Sequence, residues 1–241
     1  MQSETYAPGY SALVMSFMQQ RTAESHAGFF LPQLRRGWRV LDAGCGPGTI
    51  TLGLAGAVAP GQVVGIDIED SQFGAAREEA LRQRLDIEFH KASVYALPFP
   101  EASFDAVFSH ALLEHLGDPG AAIAEMRRVL KPGGLIGLRA GDIGGLLMDA
   151  VPEGAAQAFG ANLANPHLGR HLGRLLRQAG FTVPRVTASY EVITETLGKM
   201  GPALAAQLPA GASCSLPGPA ADPPFVALAW CEATARAGYP A

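Results

Sequence analysis

The stretch that most constrains this chain is Val40-Leu41-Asp42-Ala43-Gly44-Cys45-Gly46-Pro47-Gly48-Thr49-Ile50-Thr51. A short apolar run breaks into a glycine loop and restarts at Thr49 with a helical pattern of Ile50, Leu52, Leu54 and Ala55. That order predicts strand, tight turn and helix. Glycines at alternate positions remove the β-carbons that would hold the backbone away from a ligand, and they permit the positive φ such a turn needs. The following helix N-terminus favours polar or anionic ligand groups. A dinucleotide fingerprint would read G-x-G-x-x-G. Here Gly44, Gly46 and Gly48 give G-x-G-x-G, with Thr49 where the third fingerprint glycine would stand. Asp42, at the C-terminal end of the strand, suits a ligand bearing an ammonium group. A glycine-rich turn in any α/β protein is the plainer alternative, and the rest of the chain has to decide between them.

Composition narrows the setting. The 241 residues are enough for one sizeable α/β domain or two small ones. With 48% hydrophobic and 17% charged residues, a packed domain is expected and a disordered chain is not. Net charge is −4 with basic residues scattered, so no nucleic-acid groove is expected. Cys45, Cys214 and Cys231 are odd in number and lack metal-ligand spacing. They imply a reduced compartment and no structural metal. No signal peptide and no bilayer-length apolar run are visible, so a cytoplasmic protein without membrane association is expected.

Taken in order, residues 1 to 36 mix aromatic, methionine and polar residues, among them Tyr10, Phe17, Met18 and His26. They suggest a helical lid over a ligand crevice, or an amphipathic helix packed on the sheet edge. Strand one is Arg39–Leu41, helix A runs from Thr49 to Val58, and strand two is Val63–Asp67, a continuous apolar run ending in an acid. A carboxylate at Asp67, about 20 residues past the glycine loop, can accept both hydrogens of a ribose diol. Ile68 then stands where it can press on an adenine face. Helix B is expected over Ser71–Leu85 with Ser71 as N-cap, strand three over Ile87–His90, and strand four ends at Ser109-His110. A helix over Pro119–Leu130 leads to strand five, Leu135–Arg139. Gly141 to Pro166 reads as partly helical, His167–Phe181 as helix E with Gly180 as C-cap, and Thr182–Val192 as strand six. Another helix is expected over 195–208 and a proline/glycine-rich loop over 209–224, with strand seven at Phe225–Cys231.

Four further motifs follow the glycine loop: Leu97-Pro98-Phe99, Ser103-Phe104-Asp105, Leu113-Glu114-His115-Leu116 and Arg128-Val129-Leu130-Lys131-Pro132-Gly133-Gly134. With Asp42 and G-x-G-x-G, in this order and spacing, they resemble the class I S-adenosylmethionine (SAM)-dependent methyltransferases, and among these the small-molecule enzymes of the ubiquinone/menaquinone-biosynthesis type. The resemblance implies a Rossmann-like α/β fold, a seven-stranded sheet with its last strand antiparallel, helices on both faces and SAM across the ends of strands one, two and four. It implies a single domain, with a helical N-terminal lid over 1–36, a SAM-binding core over 37–140, and a substrate-side insert with the C-terminal strands over 141–241. Carried over by position, Asp42, Gly44, Gly46 and Gly48 would hold the methionine part of SAM and Asp67 the ribose. Family members usually place an aspartate after strand three to bind the adenine amino group, whereas this chain has Ser93. Val94 would meet the adenine through its backbone N–H.

Methyl transfer from a sulfonium is an in-line displacement, so the protein must align the reacting atoms in a largely dry pocket. A base is needed only where the acceptor must lose a proton. His110 and His115 are the candidate catalytic residues, His110 also lying beside the expected sulfonium; His115 can equally be a packing residue at a helix start. Tyr10, His26, Arg139 and His171 are candidates for binding substrate, with Arg139 and Asp142, past the end of strand five, as groups for a polar substrate; His26, His167 and His171 are also more distant candidate bases. The expected function is methyl transfer from SAM to a small hydrophobic or aromatic metabolite at carbon, oxygen or nitrogen, by a monomer or homodimer. A nicotinamide-dependent oxidoreductase, disfavoured by Thr49, and a SAM-binding domain without activity, kept open by Ser93, are the alternatives.

Overall fold

The computed structural model describes residues 12–149, 160–161, 163–193 and 225–238. Tyr10, the helix expected over 195–208 and the loop over 209–224 lie outside them. Two short helices come first, α1 (Ala12–Met18) and α2 (Ala23–His26), then a 3-10 turn at Leu31–Gln33 that contains Pro32. Thr22 caps α2, its hydroxyl accepting the Ser25 N–H. The alternating part follows: β1 (Val40–Ala43), α3 (Thr49–Val58), β2 (Val63–Asp67), α4 (Phe73–Gln83), β3 (Ile87–Lys91), β4 (Phe104–His110), α5 (Pro119–Val129), β5 (Leu130–Asp149), α6 (Leu172–Gln178), β6 (Phe181–Val192) and β7 (Phe225–Ala237).

The strands form one seven-stranded sheet in the order β3-β2-β1-β4-β5-β7-β6. β7 inserts between β5 and β6 and runs antiparallel to both. The expected Rossmann-like sheet with an antiparallel last strand is what the chain forms. The order reverses between β1 and β4, and in open α/β sheets ligands bind outside the strand ends at such a reversal.

Strand alternation sorts the core into two layers. Val40, Ala106, Phe108 and Leu135 face Ala23, Ala27 and Phe30 of the N-terminal segment and Ile50, Leu54 and Val58 of α3. Leu41, Val64, Val107, Ile136 and Leu138 face Ile123 and Met126 of α5 and Leu172 and Leu176 of α6. Helices therefore cover both faces. Phe30 is fully buried and lies over Gly137, where a β-carbon would run into its ring. That contact seats the N-terminal segment on the sheet.

Several boundaries differ from the sequence expectation: strand one runs on to Ala43, and the helix expected over His167–Phe181 is a 3-10 turn at Gly169–His171 followed by α6, with Phe181 already in β6. Strand five spans Leu130–Asp149 instead of Leu135–Arg139, so the start of the segment expected to be partly helical is strand. Pairing with β7 carries it on through a bulge between Asp142 and Leu147, which Gly144 and Gly145 make room for. Strand seven extends to Ala237 because β5 and β6 pair with it on both sides. Helix α4 begins at Phe73, and Ser71 is not its cap. The Ser71 N–H donates to Glu69 Oε1 at 2.9 Å, and the Phe73 N–H to the Asp70 carbonyl at 3.1 Å, so a turn occupies those residues before the helix can start.

Candidate active site

The ends of β1, β2 and β4 open into a cavity of about 1130 Å³. That exceeds the roughly 300–1,000 Å³ typical of small-ligand sites, so there is volume for more than one small molecule. Of the residues singled out in the sequence, Asp42, Gly44, Asp67, Ile68, Ser93, Val94, His110 and His115 line it.

The glycine loop forms one wall. Gly44, Gly46 and Gly48 take φ of +77°, +52° and +78°, the left-handed region that costs other residues roughly 1–2 kcal/mol. Space restricts Gly48 most: a β-carbon there would lie 2.8 Å from Ala76 Cβ and 3.0 Å from the Phe89 ring, whereas at Gly46 it would meet only the mobile end of Met18. Gly48 is the N-cap of α3 and supplies no side chain to its first N–H groups, so these remain a donor surface at the helix start.

Two carboxylates flank the loop. Asp42 is buried, and its Oδ2 accepts the Thr51 hydroxyl at 2.7 Å. Burial pushes its pKa up to about 7, with Thr51 opposing the rise and the neighbouring Asp67 adding to it. No cation among the described residues forms an ion pair with Asp42 within 4.0 Å. Asp67 Oδ2 accepts the Gly46 N–H at 2.8 Å and Oδ1 accepts the Glu69 N–H at 3.1 Å. Burial raises its pKa as well, against those bonds. Each carboxylate oxygen has two lone pairs, so both of Asp67's can still accept from a ligand. Farther along, Ser93 Oγ accepts the Tyr95 N–H at 3.1 Å, and Val94 is buried.

On the β4 side the character changes to nitrogen donors. His110 is 6% exposed, and neither ring nitrogen has a hydrogen-bond partner. Burial drives its pKa well below the usual value, and Arg21 and Arg139 push the same way. His115 falls to about 4, through burial and then Arg21. Both imidazoles are therefore neutral at physiological pH. Arg21, which the sequence analysis passed over, lines the cavity beside them.

The substrate-binding candidates do not meet at one place. Strand register puts His110 beside Arg139, Arg139 beside Glu232, and Gly141 beside Trp230. Neighbouring partners share a face of the sheet, so His110, Arg139, Trp230 and Glu232 stand together. Arg139 lies within β5 rather than past its end. It is buried, with its guanidinium 4.3 Å from the Trp230 ring centroid, Nη2 3.5 Å from Glu191 and Nε 3.5 Å from Glu232. It holds that layer together and does not line the cavity. His26 is likewise set back: its ring lies 5.0 Å from that of His110, its Nδ1 shares a 2.7 Å hydrogen bond with Ser25 Oγ, and its Nε2 is 3.6 Å from Glu191. Asp142 is held by Arg170 through Nε at 2.8 Å and Nη2 at 2.7 Å, with the Arg170 and Gly144 N–H groups adding to it. His167 Nδ1 accepts the Gly144 N–H at 3.1 Å. His171 ends a 3-10 turn between Leu168 and Leu172, which pack into the α5/α6 layer, so it does not reach the cavity.

Among the described residues no group of three or more His, Cys, Asp or Glu is placed to hold a metal ion, and no helix is long and apolar enough to cross a membrane.

A family model described as a methyltransferase domain matches residues 41–138. The chain is 38% identical over 146 residues to an uncharacterized methyltransferase of Schizosaccharomyces pombe, covering 57% of this chain and 52% of that one. It is 36% identical over 157 residues to an O-methyltransferase of Penicillium expansum, covering 63% and 55%. The chain thus spans about half the length of the curated relatives it matches. The crystal structure of a SAM-dependent methyltransferase from Aquifex aeolicus shares the fold, with a TM-score of 0.57 at 18% identity over 92% of this chain and 99% of that one.

Proposed function

We propose that the chain, whose residues 41–138 match a family model described as a methyltransferase domain, transfers a methyl group from SAM to a small-molecule acceptor, the N-terminal segment, core and C-terminal strands acting as one domain. One observation carries this. Asp42 and Asp67, at the ends of two adjacent parallel strands, flank a loop whose three glycines all take positive φ, a conformation that disfavours any side chain there.

The residues present fit the cofactor. A buried carboxylate without a cation is costly unless it stays protonated or gains a partner, and an ammonium group at Asp42 would supply one. Asp67 has lone pairs to spare for a diol, and the N–H groups at the start of α3 favour a carboxylate. When bound, SAM supplies an electrophilic methyl group on a positively charged sulfur. The chain's own part is to orient. Asp42, Gly44, Gly46 and Gly48 hold the amino-acid end, Asp67 the ribose, and Ile68, Ser93 and Val94 border the base. His110 borders the side on which the acceptor must lie. Similarity to an O-methyltransferase favours oxygen as the accepting atom.

The first test is which nucleotide stabilises the fold. A ligand at one hundred times its Kd adds about 2.7 kcal/mol. S-adenosylhomocysteine is expected to raise the melting temperature in a concentration-dependent way, while NAD leaves it unchanged. The opposite result would establish the oxidoreductase alternative. Turnover of SAM with any acceptor would dismiss a non-catalytic binding domain.

Asp42 gives the binding a pH dependence of definite sign. Its pKa rises from 3.8 to about 7 on folding, so across that window the folded chain holds more of the proton than the unfolded one. Stability of the ligand-free protein therefore falls as pH rises through it. An ammonium ligand favours the ionised carboxylate. S-adenosylhomocysteine should bind more tightly as pH rises toward 7, by at most about tenfold per unit from this group. Calorimetry in two buffers of different ionisation enthalpy should show proton release one unit below that pKa and almost none one unit above it.

A further inference from the structure

We propose that two copies of this chain join edge to edge through β6, antiparallel about a twofold axis at Ala188, so that their sheets run on as one. The assembly does not depend on the chemistry proposed above.

β6 is an outer strand of the sheet, and among the described residues it pairs with β7 alone. An outer strand carries a row of N–H and C=O groups that its own sheet leaves unpaired, and native edges are commonly blunted by brevity, lysine, proline or bulges. The opposite edge follows that rule, since β3 has five residues and ends in Lys91. The first part of β6 follows it too, with Pro184 inside a bulge between Thr182 and Arg185. From Arg185 to Val192 the protection stops. The register with β7 is unbroken there, and the run contains no proline, glycine or lysine. Strand alternation puts Val186, Ala188, Tyr190 and Val192 on one face, and the three large ones are 44%, 55% and 64% exposed. Arg185, Thr187, Ser189 and Glu191 share the other, where the Thr187 and Ser189 hydroxyls donate to Glu232 at 3.2 and 2.6 Å.

The order of residues along this run selects a second copy as the occupant. Arg185-Val186-Thr187-Ala188-Ser189-Tyr190-Glu191 is complementary to its own reverse. With the axis at Ala188, antiparallel pairing sets Arg185 opposite Glu191 of the second copy, Val186 opposite Tyr190 and Thr187 opposite Ser189, each pair occurring twice. These are an opposite-charge pair, a β-branched–aromatic pair and a hydroxyl pair, the cross-strand combinations that stabilise antiparallel sheets. Ala188 meets its own equivalent at the axis, where small side chains avoid crowding. Moving the axis by one residue destroys the match: at Thr187, Arg185 faces Ser189 and Glu191 faces Val183, and at Ser189 they face Ile193 and Thr187. Glu191 also lies 3.5 Å from Arg139 and 3.6 Å from His26. Arg185 of the second copy therefore extends a charge cluster that adjoins the layer behind His110. Because the same patch serves on both sides, the contact is self-complementary and closes at two copies.

Sedimentation velocity on the full chain tests this. The wild type is expected to pass from monomer to dimer with rising concentration. Val186→Glu and Tyr190→Lys, both at exposed positions, should each weaken dimerisation about tenfold or more, and the double variant should recover to within about threefold of the wild type. Positions four apart on one strand are separated by about 13 Å, so the introduced charges can meet only between copies. Hydrogen exchange on the wild type needs no variant: amides of 185–191 should slow as concentration crosses the dimer range, while those of β3 stay unchanged. A wild type still monomeric at about 100 µM, a dimer indifferent to both single substitutions, a double variant no better than the weaker single, or growth beyond two copies would overturn the proposal. The first of these would leave the edge to another stretch of this chain or to a different protein.

Discussion

Replacing Asp67 by alanine is expected to weaken S-adenosylhomocysteine binding on the order of a hundredfold, whereas Ser93→Ala should cost less than about tenfold. A hydrogen bond to a charged group contributes roughly 1.5–3 kcal/mol. Two such bonds to a diol give at least about 3 kcal/mol, and each 1.4 kcal/mol is a factor of ten. Asp67 has a second task, since it accepts the Gly46 N–H and so pins the glycine loop against β2. The alanine variant therefore loses both the ligand's partner and the loop's anchor. Ser93 presents an uncharged oxygen that already accepts the Tyr95 N–H, and less depends on it. Titration calorimetry on the two variants, with thermal melts to verify folding, makes the comparison. Small and equal losses would remove the ribose from Asp67.

Gly48→Ala is the second large effect, and it falls on fold and site together. The new side chain meets a φ of +78°, worth roughly 1–2 kcal/mol of strain. Its β-carbon would also stand 2.8 Å from Ala76 Cβ and 3.0 Å from the Phe89 ring. Overpacking a filled interior adds about 1–3 kcal/mol. Ala76 and Phe89 belong to a small buried cluster with Phe73 and Cys45, so the neighbours have little room to yield. We expect a loss of about 2–5 kcal/mol in denaturant unfolding, together with weaker S-adenosylhomocysteine binding because α3 must shift away from the loop. Adding Ala76→Gly should restore part of the stability by relieving the contact, though not the part due to φ. A Gly48→Ala protein as stable as the wild type would show that the turn tolerates a side chain.

Most of the proposed cofactor side was legible in the chain because its chemistry is local. Asp42, the three glycines and the start of α3 are neighbours in sequence, and a strand-turn-helix places them with no help from distant parts. Asp67 follows from the next strand of a parallel sheet. Thr51, the hydroxyl partner of Asp42, had a signal that went unused: it stands in the first turn of the helix that starts over the strand end. The proposed acceptor side was not legible in this way. His110 draws its surroundings from Arg21, Arg139, Trp230 and His26, which come from both ends and the middle of the chain and meet only through sheet order and register. Nothing near Trp230 or Arg21 in sequence marks either residue, and His171, which looked equally suitable, does not line the cavity.

What the sequence alone determined is the βαβ alternation, the glycine turn and the acids at two strand ends, because hydrophobic period, turn sterics and short spacing act within a few residues. The tertiary structure alone decided which side chains of β4, β5 and β7 share a face beside His110. It also decided that His110 is neutral and unpartnered there, while Arg139 is enclosed behind it. Those outcomes depend on burial and on charges brought together across the sheet, and neither exists until β7 is inserted between β5 and β6.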